Sequence, residues 1–387
     1  MKRDQTTNAE GRQLVFKKRP GFLAFGPGRD PGRLGSFVLA LAASLLGLAV
    51  AEGVSRVTIP VSPGARFVTS TGESLNLTSR GSLTLPPNTA IWQIADEYDA
   101  KATITGDGYR APNGGSNPEI VFLGDSFTFG VGLNDGQTFV ALYCKQRVLT
   151  CANLGRPATG TVMQLAVLDY YLREMGWRPR VVKLFIFATT SSLMPGNDLL
   201  DNLRESHHPA AEEKLASERI VGLSGVLLRS SNLARVLYFY YGPVVRAAFS
   251  PRPLGARLRE ALKITGGQLA QFQRLAAQHP FRAQIYVIHP VQDLINGTGA
   301  ATTSAIRGIA GALPVFDTAD AMPGNPRQYY FSYDQHLNAK GAAAIARFLL
   351  AQDHEGGPVG DAPAEDASLA ARLRRSKVCY SRSMGDA

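Results

Sequence analysis

Cysteine is scarce in this chain, with three among 387 residues. Cys144 and Cys151 stand seven apart, and Cys379 is alone in a polar tail. No C-x-x-C pair and no histidine cluster at zinc spacing occurs, so no metal site is expected. The Cys144/Cys151 pair reads either as a short-loop disulfide in an oxidising compartment or as two buried thiols. Also missing is any basic-aromatic groove motif of the RRM or zinc-finger kind, so no nucleic-acid partner is expected. The net charge of +10 does not alter this, because it is unevenly spread. The first 33 residues hold eight Lys/Arg against Asp4, Glu10 and Asp30, half of the excess. No internal repeat is visible.

Charge is absent altogether from one run, Leu34 to Ala51. Its 18 residues, at about 1.5 Å rise each in a helix, just span the hydrocarbon core of a bilayer. The length of the run, the lack of any polar face and the one-sided Lys/Arg flank argue against a buried core helix. The reading is therefore a basic cytoplasmic segment (1–33) and a transmembrane signal anchor (34–51), with everything beyond Glu52 exported. A cleaved signal peptide is the rival, since Ala49-Val50-Ala51 is an A-x-A-like site. Both readings place the remainder outside the cytoplasm, in the periplasm if the source is bacterial.

Residues 55–118 are rich in Thr, Ser, Pro and Gly and read as an irregular or β-type lead-in. From Glu119 strands and helices alternate. Strands are expected at 119–124, 148–153, 181–187, 283–288 and 313–316. Helices are expected at 137–147, 161–176, 257–279 and 338–352. Such alternation predicts a three-layer α/β/α domain over 119–352, built on a parallel sheet whose ligands bind beyond the strands' carboxyl ends. Residues 203–256 interrupt the pattern as a helical insertion, and the tail from 353 to 387 reads as disordered.

Gly124-Asp125-Ser126-Phe127-Thr128-Phe129-Gly130 directly follows the first of these strands. A serine there stands at the sheet's carboxyl edge, but a hydroxyl is a weak nucleophile and needs a base within reach. Tyr333-Asp334-Gln335-His336-Leu337-Asn338, before the closing helix, supplies a histidine with a carboxylate two residues away. Asn338 there also reads as a helix cap. The other histidines (His207, His208, His279, His289 and His354) read as structural, with His289, after the fourth strand, as the reserve base. Arg110, in Gly108-Tyr109-Arg110, has a salt bridge as its default role.

Together these segments resemble the SGNH (GDSL-like) hydrolase superfamily. Gly124 to Gly130 is similar to its first block, and Asp334 to Gly341 to its last, in the D-x-H-x-N-x-x-G variant. Between them, Asn153 to Thr161 resembles the second block, and Gly196-Asn197-Asp198 with Asp201-Asn202 the third. The resemblance covers residues 105–350 and implies a flavodoxin-like five-stranded sheet. It implies Ser126 as nucleophile and Asp334 and His336 as the activating pair. The oxyanion donors would be Ser126 and Ala158 through backbone N–H and Asn197 through its amide. Two departures stand out. Ala158 occupies a position that is glycine in the family, and eight residues, 188–195, separate the third strand from Gly196. No cofactor is implied. The expected activity is that of a membrane-anchored serine esterase acting on acylated small molecules or polysaccharide. An O-acyltransferase, a lipid esterase and an inactive carbohydrate-binding or assembly factor are the alternatives.

Overall fold

The computed structural model describes residues 31–59, 65–75, 77, 82–112, 117–191, 197–207, 227–228, 230–242 and 254–355. Most of the cytoplasmic segment expected at 1–33, the tail beyond Glu355, Gly196 and most of the 203–256 insertion lie outside the described residues.

The first element is helix α1, Pro31–Thr58. It is longer at both ends than the expected 34–51 anchor. Its segment Ser36–Thr58 is long and apolar enough to cross a membrane, and none of its most apolar window is buried. That uniform exposure of Phe37, Leu39 and Leu46 distinguishes it from the core helices below.

The lead-in takes the β-type form, the second of the two expected for it. Strands β1 (Arg66–Thr69), β2 (Ala90–Ala95) and β3 (Tyr98–Thr103) form an antiparallel sheet in that order. β2 and β3 pair from Ala95↔Tyr98 outward, so only Asp96 and Glu97 make the hairpin turn. The buried face of this sheet, Ile91 and Ala102, together with Ile104 just beyond β3, packs on Phe129 and Val131.

The main sheet holds β4 (Ile120–Leu123), β5 (Cys151–Asn153), β6 (Val181–Phe187), β7 (Arg282–Ile288) and β8 (Val315–Asp317). All neighbours are parallel, and the order is β5-β4-β6-β7-β8. This is the flavodoxin-like 2-1-3-4-5 arrangement, whose switch point lies beside the first strand, β4. Among the described residues, the α-helices that follow α1 include α2 (Ser126–Phe129), α3 (Phe139–Arg147), α4 (Thr161–Arg173), α5 (Asp198–His207), α6 (Asn232–Val236), α7 (Leu254–Gln278), α8 (Val291–Asn296), α9 (Gly299–Ile309) and α10 (Ala339–Glu355).

Strand side chains alternate between two apolar layers, as the period of two requires. Val121, Leu123, Leu184, Ile186 and Val287 face a core with α4, α7 and α9. Ile120, Phe122, Phe185, Tyr286 and Ile288 face the opposite core with α3 and α10. Lys183 lies in β6 among the second set. It is fully buried, and its ammonium reaches Asp353 at 3.0 Å. Asp353 also accepts from the Tyr143 hydroxyl. The closing helix therefore runs three residues beyond the expected end of the domain, because Asp353 partners a buried cation. Cys144, near the end of α3, and Cys151, opening β5, are joined as a disulfide.

Candidate active site

β4 is buried at every position and delivers the chain to Gly124. A Cβ there would stand 2.1 Å from Thr128 Oγ1 and 3.0 Å from Phe185 O, so only glycine fits the turn. Asp125 then caps the short helix α2, its carboxylate accepting from Phe127 N–H at 2.9 Å. Ser126 is the first residue of that helix and remains partly accessible between buried neighbours.

The partner loop arrives from 210 residues away. Its ends are tied by hydrogen bonds from Phe331 N–H to His336 O and from Asn338 N–H to Tyr329 O. Asn338 caps α10 by accepting from Gly341 N–H at 3.1 Å and gives its own amide to Gln328 O and Tyr330 O. Gln335 adopts φ +65°, which folds the loop so that Asp334 and His336 share one side. Asp334 Oδ1 bonds His336 Nδ1, and His336 Nε2 lies 2.7 Å from Ser126 Oγ. With Nδ1–H directed at the carboxylate, Nε2 is left as the acceptor of the serine proton. The imidazole leans on Phe127 at 4.9 Å, and Phe127 stacks on Phe187 at 4.2 Å. Ser126, Asp334 and His336 are thus brought together as expected.

The charges suit a base. Burial draws the His336 imidazole down, but the charge and hydrogen bond of Asp334, with Asp125 behind, outweigh it and hold its pKa above the usual value. Burial raises the Asp334 carboxyl, and His336 and the Tyr98 hydroxyl more than reverse this, leaving it below the carboxylate range. Behind Ser126 the pattern inverts. Burial pushes Asp125 up to about 7. Burial, then Asp125 and Asp201, push the carboxyl of Asp198 well above its ordinary value.

The second block packs directly on α2. Asn153 donates to Thr128 O at 2.8 Å and accepts from Gly155 N–H, while Arg156 N–H donates to Gly124 O at 2.9 Å. Ala158 adopts φ +56°, the left-handed region that favours glycine. Alanine here holds a backbone shape that glycine would adopt without steric cost. Asn197 is fully buried, but its amide donates to Thr189 O at 2.8 Å and its carbonyl accepts from Leu199 N–H at 3.2 Å. One of its two amide hydrogens is thus given to the backbone of the intervening loop. Asn202 and Glu205 cap the start of α4, accepting from Val162, Gly160 and Met163 N–H. The third block thus supports the second through its Asn202 end.

His289, the reserve base, is fully buried and bonds Asp317 at 2.8 Å, with Thr303 bridging both. It ties β7 to β8 and α9 and does not reach Ser126. Arg110 does more than pair with Asp135. Its guanidinium also donates to the carbonyls of Phe129, Gly130 and Leu133, holding the exit from α2.

Two residues with a place at the site escaped sequence reasoning. Tyr98 donates to Asp334 Oδ2 at 2.8 Å, and Glu97 accepts three backbone N–H groups, from Ser332, Tyr333 and Asp334. The available signal was a two-residue Asp96-Glu97 turn between β-forming runs.

No protein-family model and no curated protein matches the chain. Solved structures do resemble it. A lipase/acylhydrolase from Enterococcus faecalis is 12% identical, over 63% of this chain and 98% of that one, with a TM-score of 0.36. A carbohydrate esterase family 2 enzyme with a carbohydrate-binding domain from Corynascus thermopiles (Myceliophthora fergusii) is 12% identical, over 75% of this chain and 87% of that one, with a TM-score of 0.33. At TM-scores below 0.5 these likenesses add nothing to what the triad geometry carries. By strand order and by the order of its motifs, the chain is similar to the SGNH hydrolases.

Proposed function

We propose that this chain is a serine esterase of SGNH type, held at a membrane by α1 and acting outside the cytoplasm on O-acyl esters of carbohydrate. The observation that carries the catalytic reading is the continuous bonding from Asp334 through His336 to Ser126 Oγ, the last step at 2.7 Å. As Ser126 Oγ attacks the ester carbonyl, His336 Nε2 takes its proton, and a tetrahedral oxyanion forms. Collapse breaks the ester C–O bond, and His336 returns the proton to the departing alkoxide. The acyl group is then on Ser126. A second nucleophile, deprotonated by His336, attacks this ester and regenerates the serine. Water as that nucleophile makes an esterase, and a sugar hydroxyl makes an acyltransferase. Ser126 N–H and the N–H of left-handed Ala158 are the proposed oxyanion donors. Asn197 gives one of its two amide hydrogens to Thr189 O, and the other is the proposed third donor.

Export is supported by the basic flank of the apolar helix and by the Cys144–Cys151 bond, which suits an oxidising compartment. The test is turnover of p-nitrophenyl acetate and of acetylated oligosaccharide by the full chain in detergent. The reading expects hydrolysis that Ser126→Ala abolishes. Turnover that survives Ser126→Ala, or folded wild-type protein without any, would overturn it.

A further inference from the structure

The nucleophile and its base sit on separate segments, which meet directly through Ser126, Phe127 and His336. Ser126 rides on the β4–α2 junction, and His336 rides on the loop before α10. A further element touches both, and it lies outside the five-stranded sheet and its helices. The β2–β3 hairpin reaches the nucleophile side through Gln93, which donates to Leu133 O at 3.3 Å and accepts from Gly132 N–H at 3.2 Å. Its second strand adds Lys101 N–H to Asn134 Oδ1 at 2.9 Å and Thr103 N–H to the Asp135 carboxylate at 3.0 Å. At its turn it reaches the base side. Glu97 gathers the N–H groups of Ser332, Tyr333 and Asp334 at 2.7–2.8 Å. Tyr98 packs on Phe331 at 4.9 Å and bonds Asp334 Oδ2. Gly132 adopts φ +81°, and a Cβ there would stand 2.6 Å from Phe331 and 2.9 Å from Tyr98. The three parts therefore close on one another at a point where no side chain intervenes.

We propose that this hairpin is a clamp on the triad, with Tyr98 and Glu97 as positioning residues for Asp334 and, through it, His336. The proposal rests on the esterase reading. Tyr98 fills the Asp334 oxygen that faces away from the imidazole, so the carboxylate is held at both ends. Glu97 fixes the backbone from which that carboxylate projects. Burial and the neighbouring Asp334 push the Tyr98 phenol far above its ordinary value, so it stays a donor at every working pH. The lead-in sheet is on this account part of the enzyme and not a spacer between anchor and domain.

Tyr98→Phe removes one hydroxyl and leaves the ring on Phe331. An Asp334 relieved of that donor carries more charge towards His336, so the imidazole pKa rises. The expected results are a fall in kcat of about tenfold with KM little changed, since a hydrogen bond to a charged group is lost, and an acidic limb of the pH profile moved to higher pH. Glu97→Ala is expected to lower kcat further, and Glu97→Gln, which keeps one acceptor oxygen, to recover part of the loss. Histidine-selective NMR titration of the full chain in detergent, with His336 assigned from His336→Gln, reads the same contact without turnover. An inactive wild type would sink the esterase reading while the titration still judged the clamp. An unchanged His336 pKa in Tyr98→Phe would overturn the clamp, and so would wild-type kcat in both Glu97→Ala and Tyr98→Phe.

Discussion

Gly155 is the residue through which the second block meets the nucleophile helix, and its replacement by alanine has a calculable effect. A Cβ there would stand 2.1 Å from Phe129 N and 2.6 Å from Thr128 C. Both are backbone atoms of α2, so no flexible side chain can yield. Restoring an ordinary contact of 3.4 Å requires the loop and the helix to part by about 1.3 Å. That movement strains the hydrogen bonds from Asn153 to Thr128 O and from Arg156 to Gly124 O, and it shifts Ser126 against His336. Overpacking of this kind costs about 1–3 kcal/mol, and a misplacement near 1 Å costs about 10²-fold in rate. Thermal melts and p-nitrophenyl ester turnover of Gly155→Ala would show a lower Tm and a kcat reduced by about that factor. Gly136→Ala, where nothing lies within 4 Å, is the control and should change neither. Wild-type kcat and Tm in Gly155→Ala would refute the close packing of this loop on α2.

The pH profile follows from the site's charges. His336 must be neutral to accept a proton, and its pKa is held above the ordinary value of about 6.5, so kcat/KM should fall with acidification from a point above that pH. Asp334→Asn removes the charge that raises it. The acidic limb should then move to lower pH while kcat drops by about 10²-fold or more; an unmoved limb would contradict the pairing. Ala158→Gly relieves a left-handed alanine worth about 1–2 kcal/mol against a glycine entropy cost of roughly 0.5–1 kcal/mol. It should raise Tm slightly and leave kcat intact, and a fall in Tm would count against the φ of +56°. Asp353→Asn strands the fully buried Lys183, whose pKa burial already draws down to about 8. A loss of about 3–5 kcal/mol is expected, read by denaturant melts, with much of it recovered by the double change Lys183→Met, Asp353→Leu.

The sheet was legible in the sequence because its strands are short apolar runs spaced by helices, and the expected 181–187 strand matches β6 to the residue. The Ser126 and His336 segments were legible because four short blocks, in order along the chain, resemble those of the SGNH hydrolases; either segment alone would have been a weak signal. Other features were hidden by their nature. Composition allows an irregular or a β-type lead-in, and β1, β2 and β3 answer to the second alternative, but Thr, Ser and Pro in 55–118 hide where each strand begins and ends. Glu97 acts through three main-chain N–H groups, and such contacts leave no pattern in the partner's side chains. Asn197 was marked by its motif, but its bond to Thr189 was not, because that contact depends on the longer loop after β6. Asp353 looked like tail because burial of a charge depends on a cation 170 residues away.

Activation of Ser126 by His336 is measured most directly by the intact mass and peptide map of the full chain after brief exposure to a fluorophosphonate. A single adduct on Ser126 in the wild type, and none in His336→Ala over the same time, is the predicted result. Equal labelling of Ser126 in His336→Ala, or an adduct on another residue, would contradict it.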